Sequence, residues 1–79
     1  MPEDTHKELF VEVERKVFAI ALKENQNGRF LRITEEVNDK RNTVIVPEAG
    51  FEDFLTVVIG MMELSKSTPP KSGGHTDPV

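Results

Sequence analysis

The residues with the clearest chemical potential in this sequence flank an Asn-Gly pair in the first half of the chain. Lys23 and Asn25 precede Asn27-Gly28, and Phe30 and Arg32 follow it. The two residues on each side are two positions apart, so in extended chain they point the same way. The cations can hold a phosphate, and the aromatic ring can stack a base. A single strand is the favoured ligand, because a duplex hides its base faces. The pattern therefore indicates a surface for phosphate binding and base stacking.

Residues suited to catalysis or metal binding do not converge in the sequence. Glu35-Glu36 and Glu52-Asp53 are adjacent carboxylates, but neighbours along a strand point to opposite faces and neighbours along a helix diverge. The two histidines, His6 and His75, lie in the terminal segments, and the chain has no cysteine. We therefore predict no catalytic residues, no metal site, no cofactor and no enzymatic activity.

The Asn27-Gly28 pair predicts a type I′ hairpin turn, which requires positive φ at both central residues. With these two residues as the loop, Lys23 lies opposite Arg32 and Asn25 lies opposite Phe30. Like charges directly opposite each other cost stability unless an anion or a carboxylate relieves them. The apolar pairs on the inward face are then Leu22 with Ile33 and Phe18 with Val37.

Two runs of alternating apolar and polar residues precede this hairpin turn. The first places Leu9, Val11 and Val13 on one side, which is typical of a strand with one buried face. In the second run, residues 16–24, the apolar residues predicted to be buried have even numbers, whereas those of the first run have odd numbers. A tight turn or bulge near Arg15 would account for the change.

Two further strands and a helix complete the predicted fold. A third strand follows Asn27-Gly28, and a short fourth strand spans residues 43–46. Pro47 opens the helix, where a missing N–H costs nothing. The sequence therefore predicts an α+β fold, a four-stranded antiparallel sheet followed by one helix in the order β-β-β-β-α.

The apolar arc of the predicted helix is too wide for packing against one sheet. At about 100° per residue, its apolar side chains cover roughly 220°, against about 100° for a helix packed on one side. We expect a homodimer in which each helix packs on its own sheet and against the partner; an unusually apolar surface helix is the alternative. The predicted dimer-interface residues are Phe51, Phe54, Val57, Val58, Met61 and Met62.

Size and charge limit both stability and binding. The chain has 79 residues and a formal net charge of -4 at pH 7. A domain of this size buries only about 60% of its unfolded surface, so a monomer would be marginal and a dimer is favoured. The negative net charge argues against holding polyanions by bulk charge, so a nucleic-acid site would have to be a local patch.

The composition divides the chain into three segments. We expect a flexible N-terminal segment at residues 1–7, one folded unit at 8–65 and a disordered tail at 66–79, which is rich in Pro, Gly, Ser and Thr. No apolar run approaches the ~18 residues of a membrane-spanning helix, and the first residues are acidic. We expect a soluble intracellular protein, cytoplasmic or nuclear, and cytoplasmic if bacterial, with no membrane partner.

Several motifs of this sequence resemble one repeat of the purine-rich-element binding (Pur-alpha) family. They are Lys16-Val17-Phe18, Lys23-Glu24-Asn25, Gly28-Arg29-Phe30-Leu31-Arg32-Ile33, Arg41-Asn42-Thr43-Val44-Ile45-Val46-Pro47 and the helix with Phe51 and Phe54. The resemblance covers about residues 8–64. Its most specific piece is the KxNxxGRF-L-[KR]-I pattern of residues 23–33.

The resemblance implies a β-β-β-β-α PUR repeat, two of which intertwine into one domain similar to the Whirly-type nucleic-acid binders. One repeat then implies an intertwined homodimer, or pairing with another PUR repeat. The implied ligand is single-stranded, purine-rich DNA or RNA, with a role in transcription, replication or RNA transport. The binding residues carried over by position are Lys16, Lys23, Asn25, Arg29, Phe30 and Arg32. The cations would hold phosphate, Asn25 a base edge and Phe30 a stacked base, although Arg29 does not share the outer face in the predicted register.

The alternative function is a dimerisation or protein-interaction module with little nucleic-acid binding. The negative net charge and the glutamates at 12, 14 and 36, which share the predicted outer face, favour it because they can neutralise Lys23 and Arg32 internally. The outer face is also poorer in contacts than the family's best nucleic-acid-binding repeats. The predicted cross-strand pair of cations favours binding instead.

Overall fold

Four antiparallel strands followed by one α-helix make up the computed structural model, which describes residues 3–71. The elements are β1 (Asp4–Val13), β2 (Lys16–Asn25), β3 (Gly28–Val37), β4 (Lys40–Pro47), a 3-10 turn (Glu48–Gly50) and α1 (Phe51–Ser67). The strands lie side by side in sequence order. The predicted α+β class and β-β-β-β-α order are confirmed.

The ends of the elements differ from the prediction. Strand β1 begins at Asp4, inside the segment predicted to be flexible, because this segment pairs with the end of β2. Pro47 ends β4 and does not open α1, since the 3-10 turn intervenes. Helix α1 continues to Ser67, and residues 72–79 of the predicted disordered tail lie outside the described residues.

A two-residue turn, Glu14-Arg15, joins β1 to β2, as the change of parity predicts. Val13 lies opposite Lys16, and Val11 lies opposite Phe18. Glu14 takes a φ of 55°, a left-handed conformation that a residue with a side chain seldom adopts. The turn therefore keeps the apolar residues of both strands on the same face.

The β2–β3 hairpin closes differently from the prediction. Its loop is Gln26-Asn27, and Gly28 is the first residue of β3, opposite Asn25. Positive φ occurs at Gly28 (128°) and at neither loop residue, so the predicted type I′ turn at Asn27-Gly28 is wrong. The Asn27 backbone N–H donates to Asn25 Oδ1 at 2.8 Å, an Asx turn that starts the loop one residue earlier.

This loop shifts the register of β2 against β3 by two residues. Lys23 lies opposite Phe30, and Arg32 lies opposite Ala21. The predicted pairs Lys23 with Arg32, Asn25 with Phe30, Leu22 with Ile33 and Phe18 with Val37 are therefore wrong. Alternation cannot distinguish registers that differ by two residues, because such a shift returns every side chain to the same face.

The sheet has one apolar face and one polar face. The apolar face carries Leu9, Val11, Phe18, Ile20, Leu22, Leu31, Ile33, Val44 and Val46. The polar face carries Glu8, Phe10, Val17, Ala19, Ala21, Lys23, Phe30, Arg32, Thr34, Glu36, Arg41 and Thr43. This division agrees with the alternation in the sequence.

A single chain buries very little apolar surface. Within residues 3–71 the buried hydrophobic residues are Ala21 and Val46, and no large side chain is fully buried. Helix α1 contacts mainly the 3-10 turn and β4, so the expected packing of the helix over its own sheet is wrong for the isolated chain. Its apolar side chains, such as Phe54 and Val57, are exposed. Helix α1 does not meet the length and hydropathy that a membrane crossing needs.

Candidate nucleic-acid interface

The strand register arranges the side chains of the polar face in rows that cross the sheet. The four-strand row nearest the β2–β3 loop holds Thr5, Lys23, Phe30 and Pro47, and the next holds Glu8, Ala21, Arg32 and Ile45. A third row holds Phe10, Ala19, Thr34 and Thr43, and a fourth holds Glu12, Val17, Glu36 and Arg41. Neighbouring strands are about 4.8 Å apart, so each row brings four side chains within reach of one extended ligand.

Three of the predicted binding residues meet at the loop end of the sheet. Asn25, Arg29 and Phe30 line a depression of about 340 Å³, which we name the hairpin depression. Its other lining residues are Glu3, Asn27, Gly28, Ile45 and Pro47. A ring, an amide and a guanidinium around one shallow site can stack a base, contact its edge and hold a phosphate.

Asn25 has a structural task in addition to its predicted one. Its Oδ1 atom accepts the Asn27 N–H, so this oxygen is engaged in closing the loop. The Nδ2 amide remains the group of Asn25 that can donate to a base edge.

Lys23 lies on the polar face but is covered. Its side chain is only 9% exposed; Nζ donates to Thr5 Oγ1 at 2.9 Å and lies 3.2 Å from Glu3 Oε1. The pairing of Asp4 and Thr5 with the end of β2 brings Thr5 and the preceding Glu3 over the ammonium group. Lys23 is therefore satisfied within the chain, as buried charges generally are.

Glu3 lines the hairpin depression and pairs with Lys23, so if a single strand binds there, Glu3→Gln is expected to strengthen its binding up to about fivefold. The substitution removes a negative charge from the hairpin depression and leaves the nearly buried Lys23 ammonium hydrogen-bonded to Thr5 Oγ1, so an incoming phosphate can pair with it. Fluorescence anisotropy with a purine-rich single strand measures the change. Asp4→Asn is the matched control, because it changes the net charge equally from the other face of β1. Equal gains in both variants would contradict a specific role of Glu3.

Arg29 lines the hairpin depression, but its partner Glu24 lies on the opposite face of the sheet from Phe30. Its Nε atom donates to Glu24 Oε1 at 3.2 Å, and His6 Nε2 lies 2.8 Å from the same oxygen. The hydrogen bond to His6, followed by that from Arg29, lowers the pKa of the Glu24 carboxyl. Glu24 therefore positions the guanidinium that lines the depression.

Lys16 is separated from the other predicted binding residues. It shares the parity of Phe18, and its Nζ lies 2.9 Å from Glu35 Oε2 at the edge of the apolar face. Asn42 Nδ2 donates to the other oxygen of Glu35 at 3.4 Å. The hydrogen bonds from Lys16 and then Asn42 lower the pKa of Glu35. The structure thus brings Lys16 to an ion pair and not to the polar face.

Acidification is expected to destabilise the fold through Glu24 and Glu35, whose pKa values are lowered in the folded chain. A carboxyl whose pKa is lowered on folding contributes stability above its ordinary value of about 4.3, and this contribution is lost as the pH falls through the lowered value. Thermal unfolding followed between neutral pH and pH 3 measures it. Glu35→Gln should flatten the pH dependence below about pH 4.3; an identical profile for wild type and Glu35→Gln would contradict the assignment.

A second depression lies at the centre of the polar face. Arg32 and Arg41 line it together with Glu8 and Glu36, and its volume is about 320 Å³. The two ion pairs join Arg32 Nη2 to Glu8 Oε2 at 3.7 Å and Arg41 Nε to Glu36 Oε2 at 3.1 Å. Both arginines are partly exposed, so these pairs are surface ion pairs. We name this site the central depression.

Phe10 also lines the central depression and is not among the binding residues predicted from the sequence. Its side chain is 66% exposed on the polar face. The available signal is parity, since Phe10 alternates with Leu9 and Val11 and shares the face of Glu8 and Glu12. The parity that places Phe30 on the polar face therefore places Phe10 there as well.

Comparison with known proteins identifies the family. A family described as "PurA ssDNA and RNA-binding protein" matches residues 2–68, which include the whole sheet and helix. A similar relative, "Transcription factor Pur-alpha 1" of Arabidopsis thaliana, is 47% identical over 45 residues, which cover 57% of this chain and 15% of the relative. The chain therefore spans only a small part of that relative.

No solved structure matches this chain. The family match and the relative agree with the motifs around Lys23–Ile33 and with the β-β-β-β-α order, and they confirm the resemblance to a Pur-alpha repeat. The chain belongs to the PurA family of single-stranded DNA- and RNA-binding proteins.

Proposed function

We propose that this chain binds single-stranded, purine-rich DNA or RNA on its polar face, as a homodimer and without catalysis, and acts in transcription or RNA regulation in the nucleus or cytoplasm. The observation that carries the proposal is the hairpin depression, where Asn25, Arg29 and Phe30 meet on a sheet whose other face is apolar. The family description and the name of the Arabidopsis relative support the ligand class and the role in transcription.

The ion pairs of the polar face are compatible with phosphate binding. Arg32 and Arg41 are paired with carboxylates at exposed sites, where such pairs contribute about 0.2–1 kcal/mol. A phosphate offers a guanidinium two parallel hydrogen bonds, which are stronger than ordinary ones. A bound strand can therefore displace Glu8 and Glu36 from the arginines at small cost.

The exposed apolar surface supports the homodimer. The apolar face of the sheet includes Leu9, Val11 and Val44, each about half exposed, and helix α1 exposes its apolar arc beyond the sheet. Apolar surface of this extent marks an interaction site on a soluble protein. A second copy offers the same two surfaces, so that each helix can cover the sheet of its partner, consistent with the intertwined pairing that the resemblance implies.

Fluorescence anisotropy tests the proposed binding. A labelled purine-rich strand of about 12 nucleotides and the matching duplex are titrated with the protein at about 50 and 200 mM salt. We expect the single strand to bind more tightly and its affinity to fall with salt, with a slope of about -0.7 for each phosphate contacted. Equal affinity for the duplex, or no binding at low salt, would overturn the proposal.

A protein-interaction module is the second candidate function. It is favoured by the pairing of Lys23, Arg29, Arg32 and Arg41 with glutamates in the same chain. In that case the polar face is internally neutralised, and the same titration gives no binding at low salt while the dimer stays intact. The oligomeric state, measured by light scattering on the same sample, separates this outcome from an unfolded protein.

A further inference from the structure

The exposed ring of Phe10 lines the central depression together with Arg32 and Arg41. It faces away from the apolar face, opposite Ala19, and is 66% exposed. Single exposed apolar residues are common on protein surfaces, but Phe10 lies on the wall of the central depression. The residues that line the depression with Phe10 therefore distinguish it from an ordinary exposed apolar residue.

The floor of the central depression is made of small side chains. Val17, Ala19 and Thr34 lie between the Phe10 ring on β1 and Arg41 on β4. The volume of about 320 Å³ is at the lower end of the range for small-molecule sites, which is about 300–1,000 Å³. A flat group of the size of one base can therefore lie over this floor against the ring.

Two cations across the floor from the ring complete the site. Arg32 is two strands away from Phe10, a distance of about 10 Å that the long arginine side chain can span. Arg41 is one strand further and is the most exposed cation of the described ion pairs, with 72% of its side chain accessible. Their carboxylate partners, Glu8 and Glu36, line the same depression, where a phosphate can replace them.

We propose that the central depression is a second nucleotide subsite, in which the Phe10 ring stacks one base while Arg32 and Arg41 hold the flanking phosphates. This inference rests on the proposed binding of single strands and adds a position to it. Phe30 in the hairpin depression is on the order of 15 Å from Phe10, with the row of Arg32 between them. Phe30, Arg32, Phe10 and Arg41 lie in four successive rows of the polar face, with Phe10 and Arg41 on opposite edge strands, so a strand laid along the sheet passes two rings and two cations.

Binding measurements with ring-deletion variants test the subsite. Phe10→Ala is expected to weaken binding of the about 12-nucleotide purine-rich strand by about 5- to 150-fold, the effect of losing one stacked base. Phe10→Leu retains an apolar side chain of similar size and should also weaken binding, because the ring is lost. Arg41→Gln should instead reduce the salt slope by roughly the contribution of one phosphate contact, while Phe10→Leu leaves the slope unchanged.

The two rings should act on different bases. Because Phe10 and Phe30 are well separated, the free-energy losses of the single variants should add in the double variant. With phenylalanine rings selectively labelled for NMR, the five Phe of the chain provide a direct readout, and stacking should move the Phe10 and Phe30 ring resonances upfield. The rings of Phe18, Phe51 and Phe54 serve as internal controls for stacking.

The outcomes distinguish the two proposals. Binding by wild type that is unchanged in Phe10→Ala and Phe10→Leu would overturn the second subsite and leave the proposed function standing. Absence of binding by a folded wild-type protein would overturn both. Weaker binding by the Phe10 variants with an upfield ring shift in wild type would establish the subsite, and circular dichroism of each variant separates a loss of binding from a loss of fold.

Discussion

Val57→Glu is expected to dissociate the dimer and unfold the chain. In the isolated chain Val57 is 58% exposed on α1, and exposed substitutions usually change stability by less than about 0.5 kcal/mol. In the proposed dimer this position is buried, where an uncompensated charge costs about 3–5 kcal/mol. Within residues 3–71 the buried hydrophobic residues are Ala21 and Val46, so the isolated chain has no large hydrophobic core that could keep it folded. Dissociation and unfolding should therefore coincide.

Light scattering after size exclusion and thermal unfolding at two protein concentrations measure this effect. Wild type should give the mass of two chains and a melting temperature that rises with concentration. Thr56→Glu is the matched control, because it adds the same charge one residue away, on the narrow polar side of α1, and should leave the mass unchanged. A Val57→Glu protein that remains folded with the wild-type mass would rule out this helix face as the interface.

Phe30→Ala is expected to weaken single-strand binding by about 1–3 kcal/mol, the contribution of one base stacked on an aromatic ring. Phe30 is partly exposed, lies opposite Lys23 and lines the hairpin depression. The ring is on the polar face, so its removal should leave the dimer mass unchanged. The anisotropy titration measures the loss, and Phe30→Leu controls for the apolar contact that the ring makes with its own sheet.

The outcome for Phe30 also bears on the role of the hairpin depression. Undiminished binding by a folded Phe30→Ala dimer would remove the ring from the site and shift attention to the central depression. A loss of binding together with a loss of dimer mass would indicate that the ring supports the fold instead.

The faces of the sheet could be predicted from sequence because alternation is a local property. Leu9, Val11 and Val13 alternate with polar neighbours, and a strand places successive side chains on opposite sides whatever its partners are. The same reasoning placed Lys23, Phe30 and Arg32 on one face, where the structure has them. The family motif added the identity of the unit, and the comparisons confirm it.

The partners of these residues required the tertiary structure. A two-residue shift preserves every face, so the Asx turn at Asn25, and not the hydrophobic pattern, decides that Lys23 faces Phe30. The covering of Lys23 by Glu3 and Thr5 depends on β1 pairing with the end of β2, which brings together residues far apart in the chain.

The position of the helix shows the same division between local and long-range information. Its periodicity and wide apolar arc are determined by residues 51–64, since they depend only on the order of neighbouring residues. Where the helix lies is set by the chain that joins it to the sheet: the 3-10 turn Glu48–Gly50 leaves it beside β4 and not over the apolar face. The sequence by itself therefore determined which surfaces are apolar and which are polar. The tertiary structure decided which charges are paired and which surfaces a single chain leaves uncovered, because pairing and coverage depend on contacts between distant segments.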